Sequence, residues 1–220
     1  MKEVIVSWSG GKDSAYALSQ LLESKDYKVK GLLSTTSEDT GRLPVHEVNR
    51  DLLRAQAESL DLPLFEVKLP AEADNITYEQ ALSGQFNKFK SVGIDTIAYA
   101  DLYLEDIKHF RDSLVQRLGM NAIYPLWKKD TMAAAVGFLE AGFQAVVTTI
   151  DSQKLPDKLT GEIFSKDFVQ SLPGNVDPCG ENGEFHTFVF DGPIFNHKIE
   201  FETGNHFKTM NGRFIHCELK

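Results

Sequence analysis

The stretch Val4-Ile-Val-Ser-Trp-Ser-Gly-Gly-Lys-Asp-Ser14 decides how the rest of the chain is read. The apolar run from Val4 to Trp8 reads as a buried strand. Ser9, Gly10 and Gly11 follow as a tight turn. From Asp13 onward, Ala15, Leu18, Leu21 and Leu22 recur at helical spacing. A strand, a glycine loop and a helix in that order suit an anion. Glycines let backbone N–H groups approach phosphate oxygens, because no Cβ blocks the way. The helix adds the positive end of its dipole and its unpaired first-turn donors. Lys12 supplies a full positive charge, and Ser9 and Ser14 supply hydroxyls. Asp13 suits no anion site on its own, but it fits one in which Mg²⁺ bridges a carboxylate and the phosphates.

The loop is not a Walker A sequence. That pattern places Gly where Val6 stands and Ser or Thr where Asp13 stands.

Composition bounds the class. A chain of 220 residues buries a good core and fits one domain, or one domain with a small appendage. Its 42% hydrophobic and 25% charged residues are ordinary for a globular protein. A net charge of −9 argues against a broad nucleic-acid footprint. Cys179 and Cys217 are far apart and form no CxxC, which suits a reducing cytoplasm and excludes a zinc-finger or dithiol signature. Lys2-Glu3 leads straight into a strand, so no signal peptide is expected. The long apolar stretch Met132 to Ile150 carries Glu140 and Gln144 and breaks at Gly142, so it reads as helix then strand and no membrane association is expected.

The chain then alternates. Tyr27 to Thr36 reads as a second strand, Leu64 to Leu69 as a third, Thr96 to Tyr99 as a fourth and Ala145 to Ile150 as a fifth. Helical patterns separate them: Leu52, Ala55 and Leu60; Tyr78, Leu82, Phe86 and Phe89; Ile107, Phe110, Leu114 and Leu118; and Ala133 to Leu139 behind Asp130-Thr131. The expected fold is a parallel, doubly wound α/β sheet over residues 1–151. Ligands bind at the carboxyl ends of strands in such sheets. Ser34 and Thr35 lie at one such end and are candidate nucleotide contacts, although hydroxyls are also common in strands. His46 stands before a helix near the same edge, as a nucleotide contact or a surface residue. Asp101 follows the fourth strand, as an Mg²⁺ or substrate contact or a helix cap.

After residue 151 the pattern changes. Gly161 to Leu172 reads as a helix, and Phe188 to Phe190, Lys198 to Glu202 and Arg213 to Cys217 as short strands. Residues 152–220 are therefore expected to form a smaller β-rich lobe. Within it Gly180-Glu-Asn-Gly-Glu-Phe-His-Thr187 sets Glu181 and Glu184 around a glycine turn. Two carboxylates in one turn repel unless a cation relieves them. Mg²⁺, ammonium or a cationic substrate would do so; an exposed acidic turn is the plain alternative.

Ser9-Gly-Gly-Lys-Asp-Ser14 matches the PP-loop of the N-type ATP pyrophosphatases. With Leu32-Leu33, His46, Pro125-Leu126-Trp127 and Gly180 to Thr187 added, the chain resembles the diphthine–ammonia ligase family over nearly its full length. The resemblance implies a HUP-type adenine nucleotide alpha hydrolase domain and a C-terminal lobe forming the substrate side of the cleft. It implies an amide-forming ligase that adenylates a carboxylate, releasing pyrophosphate from ATP, before ammonia displaces AMP. Lys12, Asp13, Glu181 and Glu184 are then the catalytic candidates. Ser9, Gly10, Gly11, Lys12, Asp13, Ser14, Ser34, Thr35, His46 and Asp101 would contact ATP, and Asp13 would hold Mg²⁺. The acceptor is a small-molecule or protein-borne carboxylate, the second substrate is ammonium, and a homodimer is compatible with this class. No Cys follows Met1, so no built-in glutaminase using that residue is expected.

The family's elongation-factor enzymes typically carry Gly-Glu-Tyr-Glu-Thr, whereas Gly183-Glu-Phe-His-Thr187 stands here and resembles a prokaryotic branch linked to cobalamin-related amidation or salvage. The competing readings are a tRNA-modifying enzyme, a sulphur transferase using Cys179, and a nucleotide-binding regulatory module without turnover.

Overall fold

The computed structural model describes residues 1–70 and 73–220. The opening apolar run forms β1 (Lys2–Ser7), with Val4, Ile5 and Val6 almost wholly buried. The glycine turn leads into α1 (Lys12–Glu23). β2 (Tyr27–Ser37), α2 (Arg50–Ser59), β3 (Leu64–Leu69), α3 (Asn75–Ser91), β4 (Thr96–Ala98), α4 (Glu105–Arg117) and β5 (Asn121–Ile123) follow. All five strands are parallel, in the order β3-β2-β1-β4-β5. The order reverses at β1, so a crevice opens beyond the carboxyl ends of β1 and β4. Two apolar layers sandwich the sheet. Val4, Val6, Leu18 and Leu53 belong to one, and Ile5, Phe86, Phe89 and Ile97 to the other.

The second half begins with α5 (Thr131–Glu140), whose cap Asp130 accepts the N–H of Ala133 at 2.8 Å. Then come β6 (Gln144–Asp151), α6 (Lys166–Ser171), β7 (Phe185–Asp191), β8 (Thr203–Thr209) and β9 (Phe214–Leu219). The strands form an antiparallel sheet in the order β7-β6-β9-β8. The α/β sheet and the β-rich C-terminal lobe are thus both present.

Several local expectations need correction. The strand at 145–150 does not join the parallel sheet; it is β6, the interior strand between β7 and β9. Its residues 145–151 are buried, so its pattern is that of a parallel core strand. The fifth parallel strand is instead the three-residue β5. Sheet membership therefore changes between residues 123 and 144, and residue 151 is the end of β6. The helix expected over 161–172 begins only at Lys166, where Ser165 accepts the N–H of Phe168. Before it, Ile163 bridges to Val146. The strand expected at 198–202 lies at Thr203–Thr209 instead. β8 is a largely solvent-facing edge strand held by its ladder to β9, so no burial pattern marks it. Among the described residues no helix is long and apolar enough to cross a membrane.

Candidate active site

The loop after β1 is shaped by the C-terminal half of the chain. Gly10 has φ +73°, a conformation that favours glycine, and a Cβ there would meet Gln56 Oε1 at 2.7 Å and Leu53 Cδ2 at 2.9 Å. A Cβ on Gly11 would meet the Thr187 carbonyl oxygen at 2.9 Å. The missing side chains thus let both α2 and β7 press against the loop. Val189 N–H donates to the Gly10 carbonyl at 2.8 Å. Lys12 N–H donates to the Thr187 hydroxyl at 3.0 Å. Gln56, fully buried, closes the junction: its amide NH₂ donates to Gly10 O (3.0 Å) and Val189 O (2.6 Å), and its Oε1 accepts from the Trp8 indole (2.9 Å). Every polar atom of that side chain has a protein partner, as a buried amide requires.

Lys12 is 3% exposed. Its ammonium donates to both Asp13 carboxylate oxygens, at 3.0 and 2.8 Å, and to the carbonyl of Cys179. Burial alone would lower its pKa, but Asp13, with Cys179 and Glu181 nearby, holds it above its ordinary value. The lysine is therefore a permanent cation at the foot of the loop. Ser14 donates to Gly11 O at 2.9 Å and lies 3.2 Å from Ser9 Oγ, which accepts the Gly11 N–H.

A cleft of about 290 Å³ lies over this loop. Ser9, Gly11, Lys12, Asp13, Ser14, Thr35 and His46 line it, as do Glu181, His186 and Thr187 from the other half. Leu33, Leu82, Tyr78, Tyr99 and Pro44 give it an apolar side that suits a purine. Polar donors and apolar side chains in one cleft are compatible with a nucleotide.

Glu181 faces the cleft, and its Oε1 accepts the N–H groups of Leu102 (2.8 Å) and Tyr103 (3.4 Å). Burial first, then Asp13 and Asp101, push its pKa up to about 7, against the pull of those two N–H groups. A carboxyl that titrates near neutrality in a cleft is equipped to exchange protons.

The other expected residues sit differently. Glu184 is 1% exposed and turned inward, accepting from Asp177 N (3.2 Å), Asn182 N (3.0 Å) and Asn182 Nδ2 (3.0 Å). It braces the turn that presents Glu181. Ser34 is buried and donates to the Trp8 carbonyl at 2.6 Å. Asp101 pairs with Arg111 at 2.9 Å and is not part of the cleft lining, whereas Arg111 is. Gly10 supports the loop from behind.

The sequence reading missed Arg111, Tyr99, His186, Thr187 and Gln56. Arg111 lies against the Tyr99 ring, 4.4 Å from its centroid. Only the Gly180–Thr187 motif itself pointed toward His186 and Thr187. Cys179 is unsuited to sulphur transfer. Its thiol donates to Thr131 O at 3.2 Å, and burial pushes its pKa up to about 12 despite Lys12.

Among the described residues no group of three or more His, Cys, Asp or Glu is arranged to hold a metal ion by itself. A nucleotide-borne Mg²⁺ needs only one or two carboxylates besides phosphates and water. Asp13, at the cleft and one turn from the loop glycines, fits that requirement.

Residues 1–122 match the family described as diphthamide synthase N-terminal domain, and residues 130–219 the diphthamide synthase C-terminal domain. Among curated relatives, the diphthine–ammonia ligase of Schizosaccharomyces pombe is 23% identical over 231 residues, covering 96% of this chain and 38% of that protein. The chain thus spans well under half of that relative's length. The diphthine–ammonia ligases of Danio rerio and Homo sapiens are 24% and 23% identical; each match covers 87% of this chain, and 83% and 79% of the relative.

Proposed function

The chain belongs to the diphthamide synthase family, and from that membership we propose that it is an ATP-dependent ligase that turns a carboxylate into an amide with ammonium. One observation carries the reading. The glycine loop and the Gly180–Thr187 turn share one cleft, joined by the Lys12–Thr187 hydrogen bond.

The proposed chemistry has two steps, with ATP as a substrate. A carboxylate is a poor electrophile for ammonia. Its oxygen first attacks the α-phosphorus, the bond to the β-phosphate bridging oxygen breaks, and pyrophosphate leaves. Lys12 and the first-turn N–H groups of α1 are set to meet the charge that builds on the phosphates. Ser9 and Ser14 would supply further hydrogen bonds, and Thr35, which lines the cleft, is proposed to meet the base or ribose. Mg²⁺, when bound at Asp13, supplies charge compensation for the departing pyrophosphate. Ammonia then attacks the acyl carbon, AMP leaves with the electron pair of the broken carbon–oxygen bond, and the proton that the new amide nitrogen sheds goes to the departing phosphate. Glu181, ionised, removes the proton that turns ammonium into ammonia. Glu184 and Asp101 act as positioning residues, through the turn and through Arg111. The residues named all come from one copy of the chain; the enzyme is proposed to act in the cytoplasm, as a homodimer.

The relatives' names favour a diphthine-type acceptor over a corrinoid carboxylate and over a module without turnover. The test is pyrophosphate release from ATP and Mg²⁺ with ammonium, comparing diphthine-bearing elongation factor with a panel of corrinoid carboxylates. Release and amide formation with the elongation factor are expected. Release with corrinoids alone would move the acceptor to that class. Silence with every acceptor, despite nucleotide binding, would overturn turnover.

A further inference from the structure

Two side chains in the cleft wall have no part in the chemistry above. The rings of His46 and His186 lie with centroids 4.3 Å apart, tilted by 37°. Both line the cleft beside Lys12. Nδ1 of His46 and Nε2 of His186 are shielded from solvent and have no hydrogen-bond partner among the described residues. A buried polar atom left unpaired costs free energy, so two adjacent ones call for a ligand.

The backbone holds His46 there under strain. Val45 and Glu47, its two neighbours, have φ of +69° and +55°. Such a conformation is rare for residues other than glycine and more so for a β-branched one. The Cε1 atom of His46 lies 3.5 Å from where a Gly11 Cβ would be, so the ring rests on the phosphate loop itself. His186 is fixed from the other half, one residue before the Thr187 that binds Lys12 N–H.

We infer that His46 and His186 form one phosphate-contacting pair, neutral at rest, that takes up a single proton when a nucleotide α-phosphate lies against it. The inference rests on the proposed nucleotide reading and adds a contact on the phosphate that AMP carries away. Two imidazolium ions at this separation repel, so the pair has room for one charge. The groups facing it set its resting state. A hydrogen bond to the Thr187 backbone favours protonation of His46, but Lys12 on α1 opposes that of both rings, and His216 on β9 opposes that of His186. His216 is itself held between the hydroxyls of Thr149 (2.9 Å) and Thr209 (2.8 Å). Burial also opposes protonation and is the largest influence, taking His46 down to about 4 and His186 well below its ordinary value. A phosphate monoanion against the rings reverses the sign of the local field. The imidazolium so formed donates to a phosphate oxygen, where negative charge gathers as AMP departs.

The probe is adenosine 5′-(methyl phosphate), a phosphodiester with one negative charge and no group titrating near neutrality. Imidazole ¹⁵N spectra of the full chain report each ring's protonation, with assignments from His46→Gln and His186→Gln. At about pH 6.5, the ordinary histidine midpoint, both rings are expected to be neutral in the free protein. With the probe bound, one imidazolium is expected, and none with adenosine, which lacks the phosphate. In a Glu181→Gln background, which removes the other group of the cleft that titrates near neutrality, affinity for the probe should rise by up to about tenfold per unit fall in pH, the slope of one linked proton. That slope should flatten in both variants. Probe binding with both rings neutral, or an unchanged slope in the variants, would overturn the inference and leave the proposed function standing. No probe binding by the wild-type chain would overturn both.

Discussion

The backbone N–H of Lys12 and the hydroxyl of Thr187 meet at 3.0 Å across 175 residues of sequence. Thr187→Val keeps the shape and removes the acceptor, leaving a buried N–H unpaired. A loss of about 1–3 kcal/mol is expected from such a group. Denaturant unfolding should register it, with nucleotide affinity falling in parallel. Thr187→Ser should retain most of both, and equal loss in the two variants would refute the hydrogen bond's role.

Lys12 is the buried cation of the loop. Lys12→Ala should lower pyrophosphate release by roughly 10²–10³-fold, as for loss of a preorganised charge donor. Circular dichroism should show an intact fold. Retained release would remove Lys12 from the site.

Glu181 gives the reaction a pH signature. Its folded pKa is raised from 4.5 to about 7, so it becomes a base only as pH passes through that value. Amide formation should therefore rise through pH 7, and Glu181→Gln should remove that limb. Stability runs the other way. The folded state binds this proton more tightly than the unfolded chain, so stability falls as pH rises from 4.5 to 7. Glu181→Gln should lose that fall too, in unfolding followed against pH.

Glu184 braces the turn with three accepted hydrogen bonds. Glu184→Gln turns an amide donor toward N–H groups and should cost about 1–3 kcal/mol. Use of diphthine-bearing elongation factor should weaken more than AMP binding, because the turn carries Glu181 and not the glycine loop. Equal losses would assign Glu184 to nucleotide binding.

The first strand, its loop and its helix were legible because apolar runs and glycines are local signals. β5 was legible only as a short extended piece before Pro125 and not as a strand of the sheet, since three residues with partly exposed side chains carry no period. β6 was legible as a strand but not as a member of the second sheet, because full burial looks the same in either. Lys12 and Asp13 could be read from their loop. Gln56 could not: it interrupts the apolar face of α2 as one polar residue, and only the fold shows its three partners. The role of Arg111 was equally hidden, since Asp101 and Tyr99 reach it across space and not along the chain.

The Gln56 junction bears on how this architecture is taken apart or rebuilt. Val189 N–H and Thr187 hold Gly10 and Lys12 from the antiparallel sheet, outside the parallel one. A fragment ending near residue 122 would keep every residue of the SGGKDS motif yet lose the scaffold that sets its curvature. Chimeras that graft one relative's C-terminal lobe onto another's parallel-sheet half would have to carry residues 56, 187 and 189 as a matched set. The glycine loop is in this sense a joint rather than a module, and shuffling the two halves independently would break it first.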